Sequence, residues 1–383
     1  MSNRGIAEII GLFAFVLGLG FWIALAVISS AKVALISNSL NSAQFTFLAY
    51  ILDAGVFGTL ILMVLRRHHS RTSFFRILEF LVITFTSFFA FMIVGVLLLS
   101  QYLAIGYIYT IAGCCALLLI AMKELHPKAR DAATMTSSIG IGVLLGLSLS
   151  FVYAMAALAI MAVYDYVTII RTKAMVKFDK ELIANNIAFL ISVSDVESLP
   201  FGYFGKKEED KYEQYLIKTH LADDPKFRAV IKKGRLPILS QVSLGEGDLS
   251  LPLMVAVSAY YSAYGQHFAW ALTGMVAIGA LIGVIATMLL LKRYKKPLPA
   301  LPPLFAFISI GAGCAYLLAG IGPLYVPAAF IAVSVVLLIS MLAALARKAR
   351  SSSASARAQK HERKVIIATA SRAGLQEVCS LLN

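Results

Sequence analysis

The chain has few charged residues. Only 14% of its 383 residues are Asp, Glu, Lys or Arg, 60% are hydrophobic, and the mean hydropathy is +0.82. A soluble domain keeps about 25% charged residues. This shortage excludes an ordinary water-soluble protein. Because helices satisfy their own backbone polar groups in lipid, the sequence predicts an all-α, polytopic transmembrane helix bundle.

Cysteine and histidine are also scarce. Of four cysteines, Cys114, Cys115 and Cys314 lie in apolar runs and Cys379 lies near the end, with no CxxC. This excludes a disulfide framework or a cysteine metal site. A zinc protease needs HExxH, and HERKV at 361–365 has no second histidine. We therefore expect no metal and no other cofactor.

Acidic residues are outnumbered by basic ones, 20 to 34, which gives a net charge of +14. The basic residues cluster in short stretches between apolar runs. That placement is typical of the positive-inside pattern of membrane proteins and suits an anionic lipid leaflet. Nucleic acid is therefore not an expected partner.

Long apolar runs dominate the chain, and a membrane span needs about 20 such residues. Residues 132–170 form one nearly unbroken run, which is too long for one span but sufficient for two joined by a tight turn near Ser148–Ser150. The predicted spans are 6–30, 43–65, 76–99, 101–122, 132–150, 151–170, 241–263, 267–291, 300–320 and 323–346.

Ten spans place every basic stretch on one side of the membrane. Those stretches lie at 66–76, 123–130, 171–235, 292–296 and beyond 347, and their side should be the cytoplasmic one. We therefore expect a multi-pass protein of the cell membrane with both termini in the cytoplasm. Merging the fifth and sixth spans would move the later basic stretches to the opposite side.

The predicted organisation follows from these spans. The apolar run LIANNIAFLISV at 182–193 is too short and too polar to span; a surface or re-entrant helix, or part of a small subdomain, is expected there. The divisions are 1–170 with six spans, 171–240 as a cytoplasmic loop, 241–320 with three spans, 321–346 as an extra span and 347–383 as a basic cytoplasmic tail.

Two carboxylates lie at similar predicted depth on the spans that flank the loop. Asp165 is near the cytoplasmic end of the sixth span and Asp248 is near the start of the seventh. Two carboxyl groups held close together share one proton, since both cannot ionise cheaply. The ionised one can take a proton from water and the protonated one can assist the carbonyl and leaving group. This pattern predicts peptide hydrolysis, and the alternative is a buried polar pair that ties the two helices together.

Residues that break helices flank this pair. Gly245 and Gly247 allow close backbone approach, Pro252 removes an amide donor, and PLPALPPL precedes the ninth span. Irregular backbone at membrane depth is tolerated where it is buried in protein or lines a watery cavity. A hydrolase working within the bilayer needs such a cavity and needs backbone groups that can bind a substrate strand.

Three motifs together resemble the presenilin and signal-peptide-peptidase families. They are Tyr164–Asp165 in the sixth span, the Gly-x-Gly-Asp of residues 245–248, and Pro299–Ala300–Leu301 before the ninth span. The run YDYVTIIRTKAM is particularly similar to the archaeal presenilin homologues. The resemblance covers residues 1–320 and implies a presenilin-like core of nine spans, so that the tenth span and the tail would be accessory.

The resemblance implies an intramembrane-cleaving aspartic endopeptidase of the GxGD type with Asp165 and Asp248 as its catalytic pair. Substrates would be transmembrane helices with their N-termini outside the cell, cut near the cytoplasmic end of the span. Obligate partner subunits are not expected, and the sequence leaves open whether the protein forms an oligomer. The resemblance assigns the shaping of the site to Tyr164, Gly245 and Gly247, and substrate binding to Pro299, Ala300 and Leu301.

Glu246 departs from the family pattern, which usually has an apolar residue between the two glycines. It precedes Asp248 by two residues, about 200° around a helix, so we expect it to face the cytoplasmic water or the 171–240 loop. The alternative is that its charge modulates the pKa of Asp248.

Other functions stay open at this point. An ion or solute transporter could use Asp53, Asp165 and Asp248 as a path, since broken helices near carboxylates also occur in transporters. A silent scaffold would have the same motifs without the right spacing. A serine protease of the membrane is disfavoured, because GLSLS at 146–150 does not supply the required motif.

Overall fold

The computed structural model describes residues 3–30, 72–125, 127–172, 190–200, 235–263, 265–294, 298–319 and 328–344. The predicted span 43–65 with Asp53, most of the 171–240 loop and the whole of the 347–383 tail lie outside the described residues.

The described chain is almost entirely helical. Seven of its helices are long and apolar enough to cross a membrane, which confirms the predicted class of a polytopic helix bundle. The elements are α1 (Asn3–Ser29), α2 (Thr72–Leu99), α3 (Ile105–Leu125), α4 (Pro127–Ser148), α5 (Phe151–Tyr166) with a π-helical extension (Val167–Thr172), β1 (Leu190–Pro200), β2 (Arg235–Gly245), α6 (Glu246–Ser262), α7 (Gln266–Tyr294), α8 (Leu301–Ala319) and α9 (Ala328–Ala344).

The long apolar run at 132–170 does form two helices. Helix α4 ends at Ser148, α5 begins at Phe151, and Ser150 between them has an extended backbone. The predicted turn near Ser148–Ser150 is therefore confirmed. A single continuous helix across this run would have reversed the direction of every later span.

Helix α6 is the central helix of the bundle. It packs against α1, α4, α5, α7 and α8, and nearly all its residues from Leu249 to Ala259 are buried. Glycines on α4 let the two helices approach closely, because a Cβ at Gly146 would lie 2.6 Å from the Cβ of Val257. A helix that is apolar on all sides belongs in such a position.

A second close helix pair is formed by α7 and α8. A Cβ at Gly283 would lie 2.8 Å from the Cα of Leu304, and one at Gly279 would lie 2.8 Å from the carbonyl carbon of Phe307. Small residues four apart allow this backbone approach in membrane helices, where van der Waals packing supplies much of the attraction. The two glycine-mediated pairs make α4–α6 and α7–α8 the most closely packed parts of the bundle.

Aromatic rings join three helices at the end of α6 far from Asp248. The rings of Phe21, Tyr260 and Trp270 lie edge to face, with centroids 5.2 to 6.0 Å apart. Tyrosine and tryptophan concentrate where a membrane meets water. This cluster ties α1, α6 and α7 together at that end.

The structure differs from the sequence expectation around the loop. Strands β1 and β2 form an antiparallel pair in which Leu190 lies opposite Gly245. Residues 190–193 of the apolar run at 182–193 are therefore strand. The helix alternative is wrong for them, and the alternative of a small subdomain stays a prediction. The seventh span also begins at Glu246, since 241–245 belong to β2. The physical reason is an apolar residue at nearly every second position of β2, a period that suits a strand.

Candidate active site

The start of α8 presents one backbone donor toward Asp165. Residues 302 and 303 are prolines and have no N–H, so Leu301 has the first N–H of the helix that can donate. Its N–H donates to Oδ2 of Asp165 at 3.1 Å. A carboxylate at a helix N-terminus satisfies a free donor and interacts favourably with the helix dipole. The Pro-Ala-Leu motif thus positions the Asp165 carboxyl group.

Asp248 is held in a comparable way at the start of α6. It is the third residue of that helix, and its Oδ2 accepts a hydrogen bond from the N–H of Gly245 at 3.1 Å. This is one half of a capping box. A Cβ at Gly245 would lie 3.3 Å from that same oxygen, so glycine leaves room for the side chain to fold back on the helix start.

The two aspartates lie at the same level of the bundle. At the far end, the hydroxyl of Ser262 accepts a hydrogen bond from the N–H of Phe151 at 3.1 Å, which joins the last residue of α6 to the first of α5. Asp165 follows Phe151 by 14 residues and Asp248 precedes Ser262 by 14 residues. At a rise of about 1.5 Å per residue, each carboxylate lies about 21 Å from that joint. Because α5 and α6 pack together, both acids lie at the same end of the pair.

Helix α5 changes its geometry directly after Asp165. Residues Val167–Thr172 form a π-helix, and the hydroxyl of the buried Thr168 donates to the backbone carbonyl of Asp165 at 3.2 Å. Such wide turns are rare and occur frequently at functional sites. The neighbouring Tyr164 is exposed on the protein surface.

Helix α6, which contains Asp248, is short for a membrane span. Its 17 residues span about 26 Å, whereas the hydrocarbon core of a bilayer is about 30 Å thick. The helix is therefore shorter than that layer. A carboxylate near the end of so short a helix is tolerated at membrane depth where protein or water binds it.

The Glu246 side chain is directed toward α4, so the expectation that it faces the cytoplasmic water is wrong. Its Oε1 accepts a hydrogen bond from the hydroxyl of Ser137 on α4, and Ser137 is in turn hydrogen bonded to Thr86 on α2. Sequence reasoning did not identify Ser137 or Thr86. A usable signal was the pair Ser137–Ser138 in a predicted apolar span.

The remaining predicted residues are distributed around the two acids. Gly247 is exposed, and a Cβ added there would meet nothing within 4 Å. Pro299 and Leu301 are buried and Ala300 is partly buried. Among the described residues, no three His, Cys, Asp or Glu side chains are grouped closely enough to hold a metal ion.

Comparison with protein families decides the class. The model of the signal-peptide peptidase and presenilin aspartyl protease family matches residues 10–323. The chain belongs to this family. It is an intramembrane-cleaving aspartic endopeptidase, and the matched region contains the Tyr164–Asp165, Gly245–Asp248 and Pro299–Leu301 motifs. Helix α9 lies beyond the matched region.

Among solved structures, the chain is similar to one described as a presenilin family intramembrane aspartate protease in the C222 space group. The two share 20% sequence identity with a TM-score of 0.50, and the match covers 82% of this chain and 99% of the other. The likeness is one of fold. A search of curated proteins found no match.

Proposed function

We propose that Asp165 and Asp248 together hydrolyse peptide bonds within transmembrane helices by general acid and base catalysis on a water molecule. The observation that carries the proposal is the position of the two acids on adjacent helices, 14 residues from a shared joint. Each also has one carboxyl oxygen bound to a backbone N–H. These bonds fix both side chains before a substrate arrives, as electrostatic preorganisation requires.

The proposed reaction needs no covalent intermediate. The ionised aspartate takes a proton from water while the water oxygen bonds to the peptide carbonyl carbon, and the protonated aspartate gives its proton to the carbonyl oxygen. The aspartate that took the proton from water then gives it to the peptide nitrogen as the C–N bond breaks. The other aspartate, now ionised, takes a proton from a hydroxyl of the tetrahedral intermediate as the C=O bond of the new carboxyl group forms. The products are a carboxyl and an amino terminus, and the pair again holds one proton.

The hairpin is proposed to present the substrate. A peptide bond within a helix hides its amide groups, so the substrate must unwind before it is cut. Strand β1 pairs along one edge of β2, and β2 leads into α6 at Glu246, two residues before Asp248. An extended segment that pairs with the other edge of β2 would run toward the acids, since added strands bind through main-chain hydrogen bonds.

The substrate side of the proposal extends the charge pattern of the sequence. Substrates are proposed to be single transmembrane helices with their N-termini outside the cell, and the chain is proposed to act without obligate partner subunits. Tyr164 and the Pro299–Leu301 segment flank Asp165 in sequence and space. They are proposed to contact the unwound substrate, while Gly247 lets its backbone approach Asp248.

A reconstituted system tests this function. The purified protein is placed in liposomes with a single-span reporter, and fragment release by the wild type is compared with that by Asp165→Ala and Asp248→Ala. Release by the wild type and none by either variant is expected. Normal cleavage by one variant, or no cleavage by the wild type, would refute the mechanism. A reporter of reversed orientation tests the substrate polarity separately.

A further inference from the structure

A hydrogen-bonded row of three polar side chains, Thr86, Ser137 and Glu246, crosses the bundle beside the two acids. The hydroxyl of Ser137 donates to Oε1 of Glu246, and Ser137 and Thr86 are joined by a hydroxyl–hydroxyl hydrogen bond. Ser137 is fully buried and Thr86 nearly so. The Thr86 hydroxyl also donates to the backbone carbonyl of Val82 on its own helix at 2.8 Å. The three residues join α2, α4 and α6.

Ser137, the middle member of this row, lies on a helix whose backbone has little freedom to move. A Cβ at Gly140 of α4 would lie 2.8 Å from the backbone nitrogen of Ala90 on α2, and one at Gly142 would lie 3.0 Å from the carbonyl oxygen of Ser250 on α6. The backbone of α4 next to Ser137 is thus in contact with both neighbouring helices. Ser137 is a fixed anchor rather than an adaptable surface hydroxyl.

Glu246, at the other end of the row from Thr86, lies in the first turn of α6. Glu246 is the first residue of the helix and Asp248 is the third, so both project from one turn but in nearly opposite directions, about 200° apart. Holding the Glu246 side chain toward α4 therefore fixes the rotation of that turn. The rotation determines where the Asp248 carboxyl group points on the other side.

We propose that Glu246 is a positioning residue, whose hydrogen bond to Ser137 fixes the turn of α6 that presents Asp248 to the substrate. This inference rests on the proposed two-aspartate function. It assigns to Glu246 a role through its bond, in contrast to a role through its charge on Asp248. The two roles predict different behaviour when the charge and the bond are removed separately.

Four variants separate the bond from the charge. Ser137→Ala removes the bond and keeps the carboxylate, whereas Glu246→Gln removes the charge and keeps an oxygen that accepts from Ser137. Glu246→Leu removes both. Ser138→Ala is the matched control, because Ser138 is equally buried on the same helix and its hydroxyl donates to Thr134 of its own helix at 2.8 Å.

Cleavage of the reporter is measured as kcat and KM, together with the pH–rate profile and the unfolding temperature. We expect Ser137→Ala and Glu246→Leu to lower kcat about tenfold or more with KM little changed, since an effect confined to the reacting geometry lowers kcat. The double variant Ser137→Ala/Glu246→Leu should be no slower than the worse single one, because both remove the same contact. Glu246→Gln should stay within about threefold of the wild type, and Ser138→Ala should match it.

Two results would overturn the inference. One is a Ser137→Ala enzyme that is as active as Ser138→Ala. This comparison tests the role of the hydrogen bond even if Glu246→Leu fails to fold. The other is a Glu246→Gln enzyme that resembles Glu246→Leu and has a shifted pH–rate profile, because charge would then matter rather than the bond. Asp248→Asn is included in every series. If it is inactive while Ser137→Ala is fully active, the proposed function stands and the positioning role falls.

Discussion

Replacing Leu301 by proline deletes the backbone donor of Asp165 and also shortens a buried side chain. Leu301 is the first residue of α8, a position at which proline fits the helix. Its N–H donates to Asp165 at 3.1 Å, and the two residues that follow are already prolines. Leu301→Pro therefore removes this hydrogen bond without breaking the helix.

The expected loss follows from the strength of that bond. A hydrogen bond to a charged group contributes about 1.5–3 kcal/mol, and each 1.36 kcal/mol corresponds to a factor of ten in rate. If the bond is needed to position Asp165 in the transition state, kcat should fall between about 10-fold and 150-fold. Single-turnover cleavage of the reporter measures this loss without interference from product release.

Leu301→Ala is the matched control for the buried side chain. Leu301 is 4% exposed, so truncation to alanine should lower stability by about 2–5 kcal/mol while keeping the N–H. Leu301→Pro should be the slower enzyme of the two at equal folded fraction, measured by thermal unfolding. Equal single-turnover rates for the two variants would refute the role of this N–H.

Two further predictions concern glycines. Gly279→Ala should lower the unfolding temperature, because its Cβ would collide with the backbone of Phe307. Gly274→Ala on the same helix is the control and should leave the unfolding temperature unchanged, since its Cβ would meet nothing within 4 Å. Equal melting curves for the two variants would contradict the close packing of α7 on α8. Gly247→Ala should raise the stability of α6 by up to about 1 kcal/mol. It should also lower kcat/KM, because the added methyl group would block the approach of the substrate. An unchanged kcat/KM would show that the substrate does not approach Gly247.

Local sequence features predicted much of the bundle. The apolar runs located the spans because lipid demands about 20 apolar residues for each. The turn at Ser148–Ser150 was predicted from the length of one run, and the structure places helix ends at residues 148 and 151. The Pro-Ala-Leu motif was associated with the site by resemblance, but its bond to Asp165 was not foreseen, since it connects residues 136 apart.

Features that depend on distant partners were missed. The hairpin pairs Leu190 with Gly245, and periodicity within a short run does not distinguish a strand from a surface helix. The helical angle between Glu246 and Asp248 indicated only that the two diverge. The partner of Glu246 is Ser137, 109 residues earlier, and only the packing of α4 on α6 places it there.

Replacing each acid by its isosteric amide tests whether Asp165 and Asp248 act as one catalytic pair. Asp165→Asn, Asp248→Asn and the double variant are compared with the wild type in reporter cleavage, after thermal unfolding has shown that all four are folded. Residues that act as one unit are strongly non-additive. Each single variant is expected to fall to background, and the double variant is expected to be no slower. Cleavage by either single variant at a rate near that of the wild type would contradict this expectation.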